Sequence, residues 1–171
     1  DRRRNPPRQQ PIGADRRAGR ISTERCAELT SELGKIRLDG AELFVEPVRE
    51  HRFVLVLRGK GLSDALADTD PQSEGVAPLL ARATAPEGEA TARLVSRFVE
   101  EARGVLAGNA PANMLLLRGF ARRPHWPSMS EVFKLRPAAV AYYPMYRGLA
   151  KLVGMEALPT GPGIEDSIAA M

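Results

Sequence analysis

The chain is poor in cysteine, histidine, lysine and aromatic residues, and each shortage excludes something. Its one cysteine, Cys26, can build neither a disulfide framework nor a cysteine metal site, and a lone thiol in a predicted helix fits a reducing, cytoplasmic setting. His51 and His125 are its only histidines, and neither stands in a His-x-Glu-x-x-His spacing that would make a metal cluster. Aromatics make up 5% of residues, no nucleic-acid motif is present and the basic residues are spread over loops, which argues against an RNA- or DNA-binding module. No apolar run approaches the ~18 residues of a membrane span. The N-terminus is charged and proline-rich, unlike a signal peptide, and lacks an initiating Met, which predicts a cut or processed start.

What is abundant is arginine, 21 residues against 4 lysines. A GC-rich genome would explain the general bias, but not the placement of particular arginines beside glycines that end apolar runs. The 171-residue length fits one domain, and 43% hydrophobic with 27% charged residues is ordinary for a chain that buries a core. A net charge of +4 favours anionic partners.

Residues 1–14 combine Arg2, Arg3, Arg4 and Arg8 with Pro6, Pro7 and Pro11, which predicts an extended or mobile basic arm. Ser22 or Thr23 caps a helix that carries Leu29 and Leu33 on one face and stops at Gly34. Residues 36–38 and 43–45 flank Asp39-Gly40 and read as a hairpin; a second turn near residues 49–51 leads into a buried apolar strand, 53–57. Residues 59–83 form a long loop of the kind that is usually functional. A helix over about 87–107 places Leu94, Phe98, Ala102 and Val105 at helical spacing, with Glu89/Arg93 and Arg97/Glu101 as i,i+4 pairs, and ends at Gly108-Asn109. Strands at 112–117 and 138–142 and a helix over 145–153 follow. The fold class expected is α/β (α+β), a mixed or mostly antiparallel sheet with helices packed on one face. Residues 15–158 form the expected domain, and 159–171, with Pro159, Gly161 and Pro162, read as a linker.

The candidate site residues lie where regular structure should stop. Asp15-Arg16-Arg17-Ala18-Gly19-Arg20 precedes the first helix, Arg58-Gly59 ends one apolar run and Arg118-Gly119 ends another. Guanidinium forks at strand-end loops suit a small anion, since they match carboxylate and phosphate oxygens in pairs. Arg16, Arg17 and Arg20 could instead be a solvated run before the helix, although positive charge at a helix N-terminus is unfavourable. Asp15 could accept from a substrate hydroxyl or orient a neighbouring arginine. Arg58 and Arg118 could each form an ion pair with a nearby loop, and His51 could be an ordinary turn residue or take part in substrate or proton handling. Asp68 and Asp70 lack the register of a calcium loop and fit Asx-turn capping better. Arg147 could serve phosphate or packing.

Read in order, Asp15 to Arg20, His51-Arg52, Leu57-Arg58-Gly59 with Gly61-Leu62-Ser63, Asp68-Thr69-Asp70-Pro71, Pro111-Ala112-Asn113 with Leu117-Arg118-Gly119, and Tyr146 to Met155 resemble the archaeal-type, 2,3-bisphosphoglycerate-independent phosphoglycerate mutases. These belong to the alkaline phosphatase superfamily, whose chains are longer than this one. The resemblance implies a substrate-positioning insert, inert by itself, that works with a metal-binding, phosphatase-like domain of the same chain. The whole enzyme would interconvert 3-phosphoglycerate and 2-phosphoglycerate in glycolysis through a phosphoserine, with divalent Mn or Mg ions. The serine nucleophile and the metal ligands would lie outside these residues. Asp15, Arg16, Arg17, Arg20, His51, Arg58 and Arg118 would contact substrate. A relative acting on a phosphonate or another phosphate ester is the alternative substrate reading.

Overall fold

The computed structural model describes residues 15–171, so the basic arm expected at 1–14 lies outside the described residues. The chain divides into one compact unit that ends at Arg122 and a second over Arg123–Met171.

The first unit opens with a 3-10 turn at Ala18–Arg20 and continues into helix α1, Thr23–Leu33. The Ser22 hydroxyl accepts from the Arg25 amide at 3.2 Å, satisfying one of the amides left over at a helix start. Cys26, Leu29, Thr30 and Leu33 make its buried stripe. Strands β1, Glu42–Arg49, and β2, Arg52–Arg58, pair antiparallel around a turn at Glu50-His51. The Glu50 amide donates to the Thr23 hydroxyl at 2.9 Å, which ties that turn to the start of α1. Alternation sends Leu43, Val45, Phe53, Leu55 and Leu57 towards the core and α1 and leaves Phe44, Val54 and Val56 on the exposed face, so the strand expected to be buried at 53–57 is buried on one face only. The expected first hairpin shrinks to a single bridge between Leu38 and Ala41.

The long loop holds two short strands, β3 at Leu66–Ala67 and β4 at Arg82–Ala83, paired antiparallel. A 3-10 turn at Pro86–Gly88 then enters α2, Glu89–Leu106. Gly88 is obligatory there, because a Cβ would overlap the Ala65 carbonyl oxygen. Both expected i,i+4 pairs form on α2, Glu89–Arg93 and Arg97–Glu101. Its buried stripe runs through Ala92, Val95, Phe98, Ala102 and Leu106, while Val105 is 38% exposed.

Residues 112–117 do not form the expected strand. Leu115 and Leu117 are buried in alternation as a strand would bury them, with Ala112 out of that phase, and the neighbouring segment answers partly with a side chain. The Leu117 amide donates to the Thr69 hydroxyl at 2.7 Å, and the Thr69 amide donates to the Leu117 carbonyl at 2.9 Å. One side-chain partner in place of a carbonyl breaks the repeating ladder.

In the second unit, Ser128 and Glu131 form a capping box for the short helix α3, Met129–Phe133. Strand β5, Ala138–Val140, runs parallel to β6, Glu156–Leu158, and helix α4, Pro144–Leu152, supplies the crossover that a parallel pair needs. The Arg147 guanidinium donates to the Ala141 and Leu158 carbonyls at 3.3 and 3.2 Å, so it braces this β-α-β unit. Residues 164–169, inside the stretch expected to be a linker, form helix α5, Ile164–Ala169.

The architecture is the mixed α/β class expected from the sequence, with both antiparallel and parallel pairs. It differs in that the strands among the described residues form three two-stranded sheets rather than one. Phe98 has no exposed surface at the centre of the first unit's core, and Phe98→Ala should destabilise that unit by about 3–5 kcal/mol in chemical denaturation. Val105→Ala, one face away on the same helix, should cost less than about 1 kcal/mol.

Candidate anion-binding site

The Asp15–Arg20 segment is a built turn. Asp15 Oδ1 accepts from the Arg17 amide at 2.7 Å and Oδ2 accepts from the Gly19 amide, and these two donors hold its carboxyl below the usual range. Ala18, Gly19 and Arg20 all have left-handed φ, at 50°, 61° and 53°. For Ala18 and Arg20 that conformation costs of order 1–3 kcal/mol each, and Asp15 is one of the groups that holds it. Gly19 also lies against Pro111, whose Cγ would be 3.0 Å from an added Cβ. Asp15 therefore shapes the backbone that presents Arg16, Arg17 and Arg20.

Arg16 turns inward. Its Nε and Nη2 donate to the two carboxylate oxygens of Asp70 at 2.7 and 2.5 Å, a bidentate pair. Arg118 Nη1 reaches the same carboxylate at 3.3 Å. Asp70 also accepts from the Gln72 amide at 2.9 Å, the Asx turn expected from the sequence. Asp68 accepts from the Gly119 amide at 2.9 Å and lies 4.0 Å from Arg118 Nε. Residues 68–70 and 117–119 are thus stitched together, and Asp70 fastens the Asp15–Arg20 turn to that seam.

Arg17 and Arg20 differ from Arg16 in having no ion pair or side-chain hydrogen bond among the described residues. Their charge reaches His51 at the β1–β2 turn. Burial first, then the Arg52 charge, lowers the His51 pKa; Glu50 opposes this, and Arg17 and Arg20 add to it. His51 Nδ1 is buried without a hydrogen-bond partner among the described residues. Arg58 is not brought to this group. It stands at the far end of β2, seven residues and roughly 20 Å from His51 at strand rise, where it lies 3.7 Å from Glu42 and 4.9 Å over the Phe44 ring.

Two guanidiniums without partners among the described residues, beside two more that share one carboxylate, make a locally positive surface suited to a small anion. Sequence reasoning missed the second role of Asp70. Its Asx turn is a local signal, but its pairing with Arg16 spans 54 positions and leaves no local trace. No three His, Cys, Asp or Glu side chains among the described residues are arranged to hold a metal ion. The carboxylates nearest the arginines are already engaged, Asp70 by guanidiniums and Asp15 by amides, so this group does not fit a metal.

The Arg16 hydrogen bonds hold the Asp70 carboxyl down to about 2, against an ordinary 3.8, even though burial pushes the other way. With the folded value below the unfolded one, the stability Asp70 contributes is present above about pH 4 and drains away as pH falls towards 2. Asp70→Asn should therefore be less stable than the parent near neutrality and lose less between about pH 5 and pH 2, as read from urea midpoints across that range.

Residues 6–113 match the family model described as 2,3-bisphosphoglycerate-independent phosphoglycerate mutase. A probable 2,3-bisphosphoglycerate-independent phosphoglycerate mutase of Thermus thermophilus is 46% identical over 162 residues, which covers 92% of this chain and 40% of that protein. The similarly named protein of Aquifex aeolicus is 42% identical over 166 residues with the same coverage. Among solved structures, the cofactor-independent phosphoglycerate mutase of Thermoplasma acidophilum superposes with a TM-score of 0.67 at 33% identity, covering 90% of this chain and 45% of that one. The chain spans about 40% of the length of these curated relatives. On this match of sequence and fold, the chain belongs to the 2,3-bisphosphoglycerate-independent phosphoglycerate mutase family.

Proposed function

We propose that this segment is the substrate-positioning part of a phosphoglycerate mutase that interconverts 3-phosphoglycerate and 2-phosphoglycerate. The observation that carries the proposal is the Asp15–Arg20 turn, a strained backbone that holds Arg17 and Arg20, unpaired among the described residues, near His51 and the Arg16–Asp70–Arg118 group. Strain of this kind persists only where surrounding structure over-determines it, and it clusters at ligand sites.

In this reading Arg17 and Arg20 grip the carboxylate or phosphate oxygens of the substrate. Arg16 and Arg118 add the N–H groups that Asp70 does not occupy. His51, at the turn beside these arginines, serves a substrate hydroxyl. Asp15 acts through the turn it holds, and Arg58 stays outside the group. A metal-binding, phosphatase-like domain of the same protein would supply the serine that carries the phosphoryl group, and divalent Mn or Mg ions held there would supply charge neutralisation for the phosphate. Holding the glycerate half in place while phosphate is on the enzyme favours its return to the other hydroxyl over attack by water. A glycolytic role in the cytoplasm follows from that reaction. No helix among the described residues is long and apolar enough to cross a membrane.

The test uses the full-length protein. Each hydrogen bond to a charged partner is worth about 1.5–3 kcal/mol, so Arg17→Ala and Arg20→Ala should each raise KM for 3-phosphoglycerate by about 10- to 100-fold with metal content unchanged. Arg58→Ala should shift KM by less than about twofold. Unchanged KM in both the Arg17 and Arg20 variants would remove the turn from the site.

A further inference from the structure

We infer that Asp70 is a positioning residue for this reaction: by sharing its carboxylate between Arg16 and Arg118, it sets where the Asp15–Arg20 turn and the Arg118 loop present their guanidiniums to the substrate. This role rests on the functional reading above and belongs to a residue that does not itself touch substrate.

Asp70 is the only charged residue in the buried class among the described residues, at 5% exposure. Burying a carboxylate is costly unless it is paired and hydrogen-bonded, and a buried ion pair is often no more stabilising than an apolar replacement of similar volume. Its presence is therefore better explained by what it orients than by what it adds to stability.

The geometry identifies what it orients. Arg16 uses Nε and one N–H of Nη2 on Asp70, so Nη1 stays available. Arg118 approaches Asp70 through Nη1, which leaves Nη2. One carboxylate between two guanidiniums leaves the trio with positive charge, offset in part by Asp68 at 4.0 Å from Arg118. The side chains of Arg16 and Arg118 are 26% and 55% exposed while that of Asp70 is 4% exposed, so the anchor is buried and the donors reach the surface. Arg16 adjoins Arg17 in the turn, so fixing Arg16 restrains the backbone from which Arg17 and Arg20 project. The Thr69–Leu117 hydrogen bonds fix the other arm, because they hold the residues adjoining Asp70 and Arg118. Asp70 thus joins chain segments that are distant in sequence and aligns donors on both.

The experiment compares Asp70→Asn, Arg16→Ala and Arg118→Ala in the full-length protein. It measures KM for 3-phosphoglycerate, the inorganic phosphate released per mutase turnover, and Tm. A positioning Asp70 predicts that Asp70→Asn raises KM tenfold or more and raises the released-phosphate fraction. It also predicts that Asp70→Asn adds less than about twofold when introduced into an Arg16→Ala/Arg118→Ala background. A purely structural Asp70 would lower Tm and leave KM and the phosphate fraction of the folded enzyme within about twofold. That outcome, with KM raised in the two arginine variants, overturns the positioning role and spares the functional reading. Unchanged KM in the arginine variants as well overturns the assignment of Arg16 and Arg118 and the positioning role with it. Should Asp70→Asn not accumulate as folded protein, Asp70→Glu, which keeps the charge and moves it by one methylene, decides by the same comparison.

Discussion

One carboxylate, that of Asp70, receives guanidiniums from two places far apart in the sequence, Arg16 near one end of the first unit and Arg118 near the other. A buried charge tolerates few arrangements, because desolvation must be offset by close and well-directed partners. That intolerance makes it an effective fastener. The Asp15–Arg20 turn has local hydrogen bonds of its own, Thr69 and Asp68 join the Asp68–Asp70 and Leu117–Gly119 segments to each other, and Asp70 fastens the turn to that pair.

The apolar core holds the frame in which this polar knot sits. Helix α1 and the inner face of the β1–β2 hairpin bury Leu29, Leu33 and Val45, and α2 adds Val95 and Phe98. The hairpin turn at Glu50-His51 is tied back to Thr23, so His51 stays at the helix-start end of the unit, where the charges of Arg17 and Arg20 act on it. The same hairpin carries Arg58 to its opposite end. Strand alternation and length, rather than residue type, divide the arginines between those that gather and those that do not.

Much of this is legible in the sequence. The two long helices follow from apolar periodicity and from Ser22 and Gly34, and the hairpin at residues 49–51 from the continuous apolar run at 53–57. The arginine-rich turn stands out by composition, and the ordered motifs point to the family. The segment 112–117 departs from the expected strand because burial periodicity does not reveal whether the neighbour offers a backbone carbonyl or a threonine hydroxyl. A second element that periodicity misses, α3, has a capping box at Ser128 and Glu131 but only five residues, too short for a repeat to register.

The sequence by itself determined where the two long helices would lie, most of the face each would bury, and that guanidiniums would dominate the irregular backbone, because those properties depend on neighbours within a few residues. Tertiary structure decided which arginines would be neutralised. Arg16, Arg17 and Arg118 look alike in sequence, yet Arg16 and Arg118 share Asp70 while Arg17 has no side-chain partner among the described residues. Coulomb attraction and desolvation depend on distance in space, and Arg16 and Asp70, 54 positions apart in sequence, meet only when the chain between them has folded.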